Sequence, residues 1–229
     1  MKKCLLCGQD FIPATSFLRI FSFKKFHEQC LCQHCLTKFA PISGEHCKIC
    51  YGKAAANELC LDCLEWQKMY GHNLLHNHAI YRYNDAFHEI MVNYKRYGDY
   101  VLREVLQELC FEQLKKIKAD FYVPIPTSPE HITKRQFDTV AEIYSQLVPL
   151  SFLLAKKEGQ GAQGERTRSE RLKSKQSFFV KEGIKADVNK RSVLLLDDIY
   201  TTGRTLYYAR DALQIAFPQA QISSFTICR

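Results

Sequence analysis

The chain has 229 residues, which at roughly 100–200 residues per domain allows one full domain and a small second one. Hydrophobic residues make up 46% and charged residues 24%, a balance that excludes disorder over the whole chain. The formal net charge is +8, no apolar run approaches the ~20 residues that span a bilayer, and the lysines at positions 2 and 3 are not followed by a signal-peptide core. We therefore expect a cytoplasmic protein that does not span the membrane and reaches its inner face only through partners.

Cysteine is concentrated at the start of the sequence, where nine of the eleven cysteines lie in the first 63 residues. Eight of them form four Cys-x-x-Cys pairs, a spacing that lets one tight turn present two thiolates to the same tetrahedral ion. In a reducing compartment, clustered cysteines hold metal more often than they form disulfides. We predict two structural zinc ions, with eight ligands: Cys4, Cys7, Cys32, Cys35, Cys47, Cys50, Cys60 and Cys63.

The pairing of these four knuckles has alternatives. Sequential pairing, with the first two knuckles on one ion and the last two on the other, is favoured over a cross-brace because shorter loops cost less entropy to close. Cys30 is an alternative ligand to Cys32, and His27, His34 and His46 are candidate substitutes. A redox-active dithiol is the competing interpretation, disfavoured because both sites are coordinatively full.

The cysteine pattern predicts a zinc-binding domain over residues 1–70 and a larger domain over residues 71–229. In the larger domain, apolar runs and period-two patterns predict strands over 78–84, 121–126, 151–155, 178–180, 192–196 and 221–228. Apolar stripes at helical spacing predict helices over 87–94, 102–117, 140–147 and 204–217. Alternating strands and helices predict an α/β fold with a mostly parallel sheet and helices on both faces.

The most informative segment covers residues 193–205, where an apolar strand leads into Asp197 and Asp198, a Thr/Gly turn and a helix. Ligands of open α/β sheets bind at the carboxyl ends of strands, and the amides of a turn before a helix suit an anion. Thr201, Thr202 and Thr205 add hydroxyl groups, and paired carboxylates suit sugar hydroxyls or magnesium. These residues predict a sugar-phosphate site; a pair of acids with no ligand is the plainer alternative.

This segment resembles the phosphoribosyl pyrophosphate (PRPP) motif of type I phosphoribosyltransferases, with four apolar residues, two acids and Thr-Thr-Gly-x-Thr. The resemblance implies a domain of that fold in which Asp197 and Asp198 face the ribose and are catalytic, with magnesium, if the protein is an active enzyme. It implies that the 5′-phosphate is held by Thr201, Thr202, Gly203, Arg204 and Thr205. The turn at the end of the predicted strand 121–126 resembles the pyrophosphate loop of that fold. Its candidate phosphate-binding residues are Pro126, Thr127 and Ser128.

The whole chain, zinc knuckles followed by this domain, resembles the ComF family of competence proteins. The segments 94–99, 166–171 and 224–229 carry the resemblance, while residues 135–139 read Arg-Gln-Phe-Asp-Thr where the family usually has Arg-Gly-Phe-Asn-Gln. The family implies a role in natural transformation, in the uptake or processing of incoming single-stranded DNA. The implied partners are a ComFA-type helicase and other competence and recombination proteins.

Basic residues give the candidate DNA contacts. One group lies in the polar segment 166–175, where a solvated charge run is the plainer interpretation; others flank aromatic residues or the predicted pyrophosphate loop. The candidates are Lys95, Arg96, Lys134, Arg135, Arg166, Arg168, Arg171 and Lys173. Two functions therefore stay open: a DNA-binding competence protein, and an active PRPP-dependent transferase with an unknown acceptor. The sequence has no recognisable nucleobase pocket, which favours the first.

Overall fold

The computed structural model describes residues 1–14, 28–156, 177–184 and 186–229. Before residue 71, the described residues form four elements: β1 (Lys2–Lys3), β2 (Asp10–Phe11), α1 (Gln33–Leu36) and α2 (Leu61–Tyr70). β1 and β2 pair antiparallel. α1 begins directly after Cys32 and α2 directly after Cys60. The second cysteine of each of these two knuckles therefore lies in the first turn of a helix.

The rest of the described chain alternates strands and helices. Its elements are β3 (Asn77–Tyr81), α3 (Asp85–Lys95), α4 (Arg103–Leu114), β4 (Phe121–Pro124), α5 (Pro129–Arg135), α6 (Thr139–Tyr144), β5 (Leu154–Lys156), β6 (Phe178–Val180), β7 (Ser192–Ile199), α7 (Arg204–Ala216) and β8 (Gln221–Cys228). A 3-10 turn, Tyr100–Leu102, leads into α4.

The bounds of several elements differ from the expectation by up to three residues, and the difference in β7 affects the candidate site. β7 runs to Ile199, three residues past its predicted end, because the pairing with β8 continues as far as Ile199 opposite Cys228. The acid pair therefore lies inside the strand and not after it. α5 follows the turn after β4 and begins with Pro129, whose fixed φ suits the first helical position.

The central sheet has four parallel strands in the order β3-β8-β7-β4. Its carboxyl ends lie along one edge, so the turn after β4 and the loop after β7 are neighbours: Pro124 pairs with Leu196, one residue before the acids. β5 and β6 form a separate antiparallel pair. The predicted α/β class, with a mostly parallel sheet, is confirmed.

Both faces of the sheet are covered. Along β7, Leu194 and Leu196 enter one core with side chains of α3, α4 and α6, while Val193 and Leu195 enter a second core with side chains of α7. A strand that is buried on both faces reads as a continuous apolar run, as this one does. Each fully buried leucine contributes about 1.5–3 kcal/mol to folding, so the leucines of β7 stabilise the packing on both faces of the sheet.

The early cysteines join these two cores on opposite faces. Cys4 and Cys35 pack with the α3–α4 side of the sheet, whereas Cys47 and Cys63 pack with the α7 side. α2 ends at Tyr70, where the sequence analysis divides the chain; that division into two domains stays a prediction. Within the described residues, no helix combines the length and apolar character needed to cross a membrane.

Candidate sugar-phosphate site and metal centres

The sulfur atoms of the eight knuckle cysteines form two groups of four, and within each group they lie within 4.8 Å of one another. The groups are Cys4/Cys7/Cys32/Cys35 and Cys47/Cys50/Cys60/Cys63. A tetrahedral zinc ion with Zn–S bonds of about 2.3 Å holds its sulfurs about 3.8 Å apart. The Cys7 and Cys32 sulfurs are 3.8 Å apart, and those of Cys50 and Cys60 are 3.4 Å apart. Both groups therefore fit zinc, and the sequential pairing is confirmed.

Backbone amides surround the first group. The Cys32 N–H donates to Cys4 Sγ at 3.4 Å, and the Cys35 N–H donates to Cys32 Sγ at 3.5 Å. Burial raises the pKa of the Cys4 thiol, but the amides of Cys32, Cys7 and Leu6 outweigh it and bring that pKa down to about 6. A thiol that ionises near neutral pH is suited to bind a metal ion.

Cys30 takes no part in either group. Its thiol donates to Glu108 Oε2 at 3.1 Å, and the same carboxylate accepts the N–H groups of Cys30 and Leu31 at 2.7 and 3.0 Å. Burial and the Glu108 charge raise the pKa of this thiol. Cys32, and not Cys30, thus belongs to the first group. The described histidines His34 and His46 belong to neither group, and His27 lies outside the described residues.

The acid pair lies near the end of β7. Asp197 is 9% exposed and Asp198 4%. The Asp198 N–H donates to Asp197 Oδ1 at 2.9 Å, and the Tyr144 hydroxyl donates to the carbonyl oxygen of Asp197 at 2.7 Å. Burial, with the charge of Asp198, raises the pKa of Asp197 to about 7, while Lys95 and the Asp198 amide oppose the rise. The pair therefore includes a carboxyl group that titrates near neutral pH.

Lys95 and Arg135, both candidate DNA contacts, lie at the acid pair. The Lys95 ammonium forms an ion pair with the Asp198 carboxylate. The Arg135 guanidinium donates from Nε to the Lys95 carbonyl oxygen at 2.7 Å, which fixes the end of α3. Of the other candidates, Arg96 and Lys134 are exposed, and Arg166, Arg168, Arg171 and Lys173 lie outside the described residues. A DNA role for these eight residues stays a prediction.

Residues 201–205, which we call the 201–205 loop, comprise the end of the connection between β7 and α7 and the first two residues of α7. Gly203 has φ +81° and caps α7, and an ideal Cβ at this position would lie 2.1 Å from Tyr200 Oη, so both the backbone and the space require glycine. The first bond of the helix runs from the Tyr207 N–H to Gly203 O at 2.9 Å. The N–H groups of the first helical turn precede this bond, and a helix N-terminus is the position at which anions bind in other proteins.

A small cavity brings the predicted residues together. Asp197, Thr201, Gly203, Arg204 and Thr205 all line it. Thr202 is 7% exposed and lies behind the loop surface. One carboxylate, two hydroxyl-bearing residues and a helix N-terminus, groups of the kind that bind a sugar phosphate, thus line one cavity. Its volume of about 10 Å³ is that of a single water molecule.

The turn at Pro126, Thr127 and Ser128 lies at the same edge of the sheet, but part of it is already hydrogen-bonded to another side chain of the protein. Asp138 accepts hydrogen bonds from the Thr127 N–H at 3.3 Å and the Thr127 hydroxyl at 3.1 Å. The same carboxylate caps α6, accepting from Val140 and Ala141 at 3.0 Å each. Asp138 stands where the ComF pattern usually has asparagine, so the departure places a negative charge against the turn.

Sequence reasoning missed two residues that hold the 201–205 loop. The Trp66 indole N–H donates to Thr202 O at 2.7 Å, and the Arg229 guanidinium donates to Thr201 O at 2.5 Å. Trp66 is 136 positions from its acceptor, so no local pattern connects them. The sequence shows only that Trp66 and Arg229 have large side chains with N–H donors and that each lies in a segment that carries a motif.

In the described residues, these features define a class: an α/β protein with a four-stranded parallel sheet, a candidate sugar-phosphate site at its carboxyl edge and two four-cysteine groups that fit metal ions. The chain is 34% identical over 228 residues to the competence protein ComFC of Streptococcus pneumoniae (strain ATCC BAA-255 / R6), covering 99% of this chain and all of that one. It is 29% identical over 231 residues to ComFC of Bacillus subtilis (strain 168), covering 99% and 94% of the two chains. The chain belongs to the ComFC family of competence proteins.

A solved structure titled as the allosteric regulatory enzyme of purine biosynthesis aligns with a TM-score of 0.31 at 14% identity, over 54% of this chain and 26% of that one. A score of this size carries no argument about function. No protein-family model matches the chain.

Proposed function

We propose that this protein acts in natural transformation by binding single-stranded DNA, with a ribose 5-phosphate group held by Asp197, Asp198 and the 201–205 loop. Its partners in the uptake or processing of that DNA are a ComFA-type helicase and other competence and recombination proteins. The observation that carries the proposal is the shared cavity of Asp197 and the loop at the carboxyl edge of the sheet, in a chain that aligns end to end with ComFC relatives.

The proposed roles follow from the chemistry of the residues. The loop amides and the hydroxyl groups of Thr201 and Thr205 bind the phosphate, and the acid pair accepts hydrogen bonds from ribose hydroxyls. Lys95 offsets the repulsion between Asp198 and an incoming phosphate. Asp197 and Asp198 are the residues that would hold magnesium if it bound with PRPP, and the ion would supply positive charge that offsets the charge of the pyrophosphate.

The environment of Thr127 favours binding over transfer. In an active transferase, this turn must accept the pyrophosphate of PRPP. Here, the Asp138 carboxylate occupies the amide and hydroxyl of Thr127 and brings a negative charge toward that position. We therefore propose that a ribose 5-phosphate, free or as a 5′-terminal nucleotide, is a better ligand than PRPP.

An active phosphoribosyltransferase with an unknown acceptor is the second candidate. The buried acid pair favours it, because two carboxyl groups beside the ribose would stabilise the positive charge that develops at the anomeric carbon. The PRPP in that reaction would meet the same Asp138 carboxylate, so activity would need Asp138 to move or bind a cation.

The proposed DNA track begins beside the acid pair. Arg96 follows Lys95 on α3, and Lys134 precedes Arg135 on α5, so the two exposed cations flank the two that reach the site. The basic residues between 166 and 175, which lie outside the described residues, are also proposed to bind DNA phosphates. Contacts of this kind are made to phosphates, so affinity for single-stranded DNA should fall as salt rises.

The test is a titration of the full chain with ribose 5-phosphate, PRPP and a 5′-phosphorylated oligonucleotide by calorimetry, together with pyrophosphate release in the presence of magnesium and a panel of nucleobases and amines. We expect ribose 5-phosphate to bind and the Asp197→Asn/Asp198→Asn variant to bind it at least tenfold more weakly. Asp187→Asn, an exposed carboxylate in a surface turn, is the matched control.

Three results separate the candidates. Acceptor-dependent pyrophosphate release that is absent in the double variant would establish the transferase. Binding without release supports the binding function. A wild-type chain that binds neither ribose 5-phosphate nor PRPP refutes both.

A further inference from the structure

The second cysteine group lies against the 201–205 loop. α2 carries both a cysteine of that group, Cys63, and Trp66, three residues apart and therefore on one face of the helix. The Trp66 indole N–H donates to Thr202 O at 2.7 Å, and its ring stacks on Tyr207 of α7 with centroids 4.2 Å apart. Trp66 is only 5% exposed, so this contact is fixed in the core.

Arg229 makes a second bridge between the same two parts. One arm of its guanidinium donates to Thr201 O at 2.5 Å. The other arm donates to Asp62 Oδ2 at 3.0 Å and to Cys60 Sγ at 3.8 Å. Because the guanidinium group is a rigid planar fork, a displacement of Cys60 or Asp62 is transmitted to the loop.

Tyr200 makes a third contact. Its ring is buried and lies under the Arg229 guanidinium, with 4.9 Å between the guanidinium carbon and the ring centroid. The Tyr200 hydroxyl fills the space beside Gly203 that a Cβ would occupy. Arg229 therefore also fixes the ring against which Gly203 packs.

These contacts fix the direction of the loop amides. A peptide unit is planar and trans, so its N–H points opposite to its carbonyl oxygen. Since Thr201 O points to Arg229, the Thr202 N–H points away from Arg229; since Thr202 O points to Trp66, the Gly203 N–H points away from Trp66. The contacts thus set the orientation of two amides in the segment that would bind phosphate.

We propose that Arg229 and Trp66 are positioning residues through which the second cysteine group, with its metal bound, holds the 201–205 loop in a phosphate-binding shape. The positioning of the loop is independent of any ligand; the effect on phosphate affinity rests on the proposed function. Coupling of this kind is reciprocal, so a phosphate bound at the loop should also slow the loss of metal from the second group.

The experiment uses the full chain with both metals bound, checked by elemental analysis of each variant. Arg229→Gln removes the charged fork, and Trp66→Phe removes the N–H donor but keeps an aromatic ring against Tyr207. Arg82→Gln is the matched control, because Arg82 lines the same surface cavity as Arg229 but donates to Glu45 O instead of the loop. The readouts are amide hydrogen exchange over residues 199–206, the Kd for ribose 5-phosphate, and the rate at which a chelator removes metal.

We expect exchange over 199–206 to be roughly tenfold faster in Arg229→Gln, the size of one lost charge-assisted hydrogen bond, with a smaller rise in Trp66→Phe and none in Arg82→Gln. Ribose 5-phosphate should slow metal release in the wild type and not in Arg229→Gln. If Arg229→Gln loses a metal ion, Trp66→Phe decides the outcome, because the Trp66 indole N–H donates to Thr202 O and not to a cysteine sulfur.

Unchanged loop exchange in both variants, with two metal ions retained, overturns the inference. If the wild type binds ribose 5-phosphate and both variants bind it equally well, the positioning role fails while the proposed function stands. If the wild type binds no ribose 5-phosphate, the proposed function fails, and the exchange of the loop amides alone decides whether the cysteine group positions it.

Discussion

The ammonium group of Lys95, at the last residue of α3, forms an ion pair with the carboxylate of Asp198 inside β7. Asp198 is 5% exposed at its side chain and Lys95 31%. The pair places a fixed positive charge at a candidate ligand site and couples the end of one helix to the central strand. Lys95 is therefore part of the candidate site and is not a free surface cation.

Replacing Lys95 should destabilise the fold. Breaking a buried ion pair by removing one partner costs about 3–5 kcal/mol, and because Lys95 is partly exposed and water screens the pair, we expect about 1–2 kcal/mol for Lys95→Met. Urea unfolding of the full chain measures the change. The double variant Lys95→Met/Asp198→Asn removes both charges and should recover most of the loss; a double variant as unstable as Lys95→Met would show that the charge is not the cause.

The raised pKa of Asp197 gives a stability that depends on pH. The carboxyl group binds a proton more tightly when folded than when unfolded, so its contribution is present below the unfolded pKa near 4 and is lost as pH rises toward about 7. The Asp197→Asn variant lacks this loss. Its free energy of unfolding relative to wild type should therefore increase between pH 5.5 and 7.5, measured in urea with metal content checked at each pH. A flat difference over this range would show that Asp197 is ionised in the folded protein throughout.

The two metal centres predict a contrast between neighbouring cysteines. Cys32→Ser removes a ligand of the first group and should reduce the zinc content from two ions per chain to about one. Cys30→Ser should retain two, because the serine hydroxyl can donate to Glu108 as the thiol does. Elemental analysis of freshly purified protein decides between them. One zinc ion in Cys30→Ser and two in Cys32→Ser would reverse the assignment of the ligand.

Asp138 should set the response of the Thr127 turn to pyrophosphate. Asp138→Asn restores the residue usual in the ComF pattern, keeps a side-chain oxygen for the α6 cap and removes the charge, so pyrophosphate should bind several-fold more tightly at little cost in stability. Asp138→Ala also loses the cap, worth about 1 kcal/mol. Calorimetry with pyrophosphate, alongside thermal unfolding, separates charge from capping. Equal pyrophosphate affinity in Asp138→Asn and wild type would rule out the charge as the determinant.

Gly203→Ala should damage the loop more than backbone strain alone predicts. The added Cβ would lie 2.1 Å from Tyr200 Oη in a residue with φ +81°. Gly98→Ala is the matched control, because Gly98 has φ +73° and an added Cβ there meets nothing within 4 Å. Strain costs about 1–2 kcal/mol at each position, and only Gly203→Ala should also lose affinity for ribose 5-phosphate. An equal effect of the two substitutions on both measurements would remove the collision as a cause.

The amino-acid sequence by itself determined the local chemistry of this protein. The four Cys-x-x-Cys pairs, the apolar run of β7 and the Thr-Thr-Gly-Arg-Thr turn each lie within a few residues, so spacing and periodicity predict the metal groups, the parallel sheet and the loop before α7. These features are readable because a short segment fixes them.

Only the tertiary structure decided which of these segments meet. It placed the two cysteine groups on opposite faces of the sheet, Lys95 on Asp198, and Trp66 on a carbonyl oxygen 136 positions away. Such contacts depend on how helices pack across the strands, and the local sequence around one residue does not indicate its partner. The physical reason is that propensity and periodicity act over neighbouring residues, whereas burial and charge pairing select contacts only after the whole chain has folded.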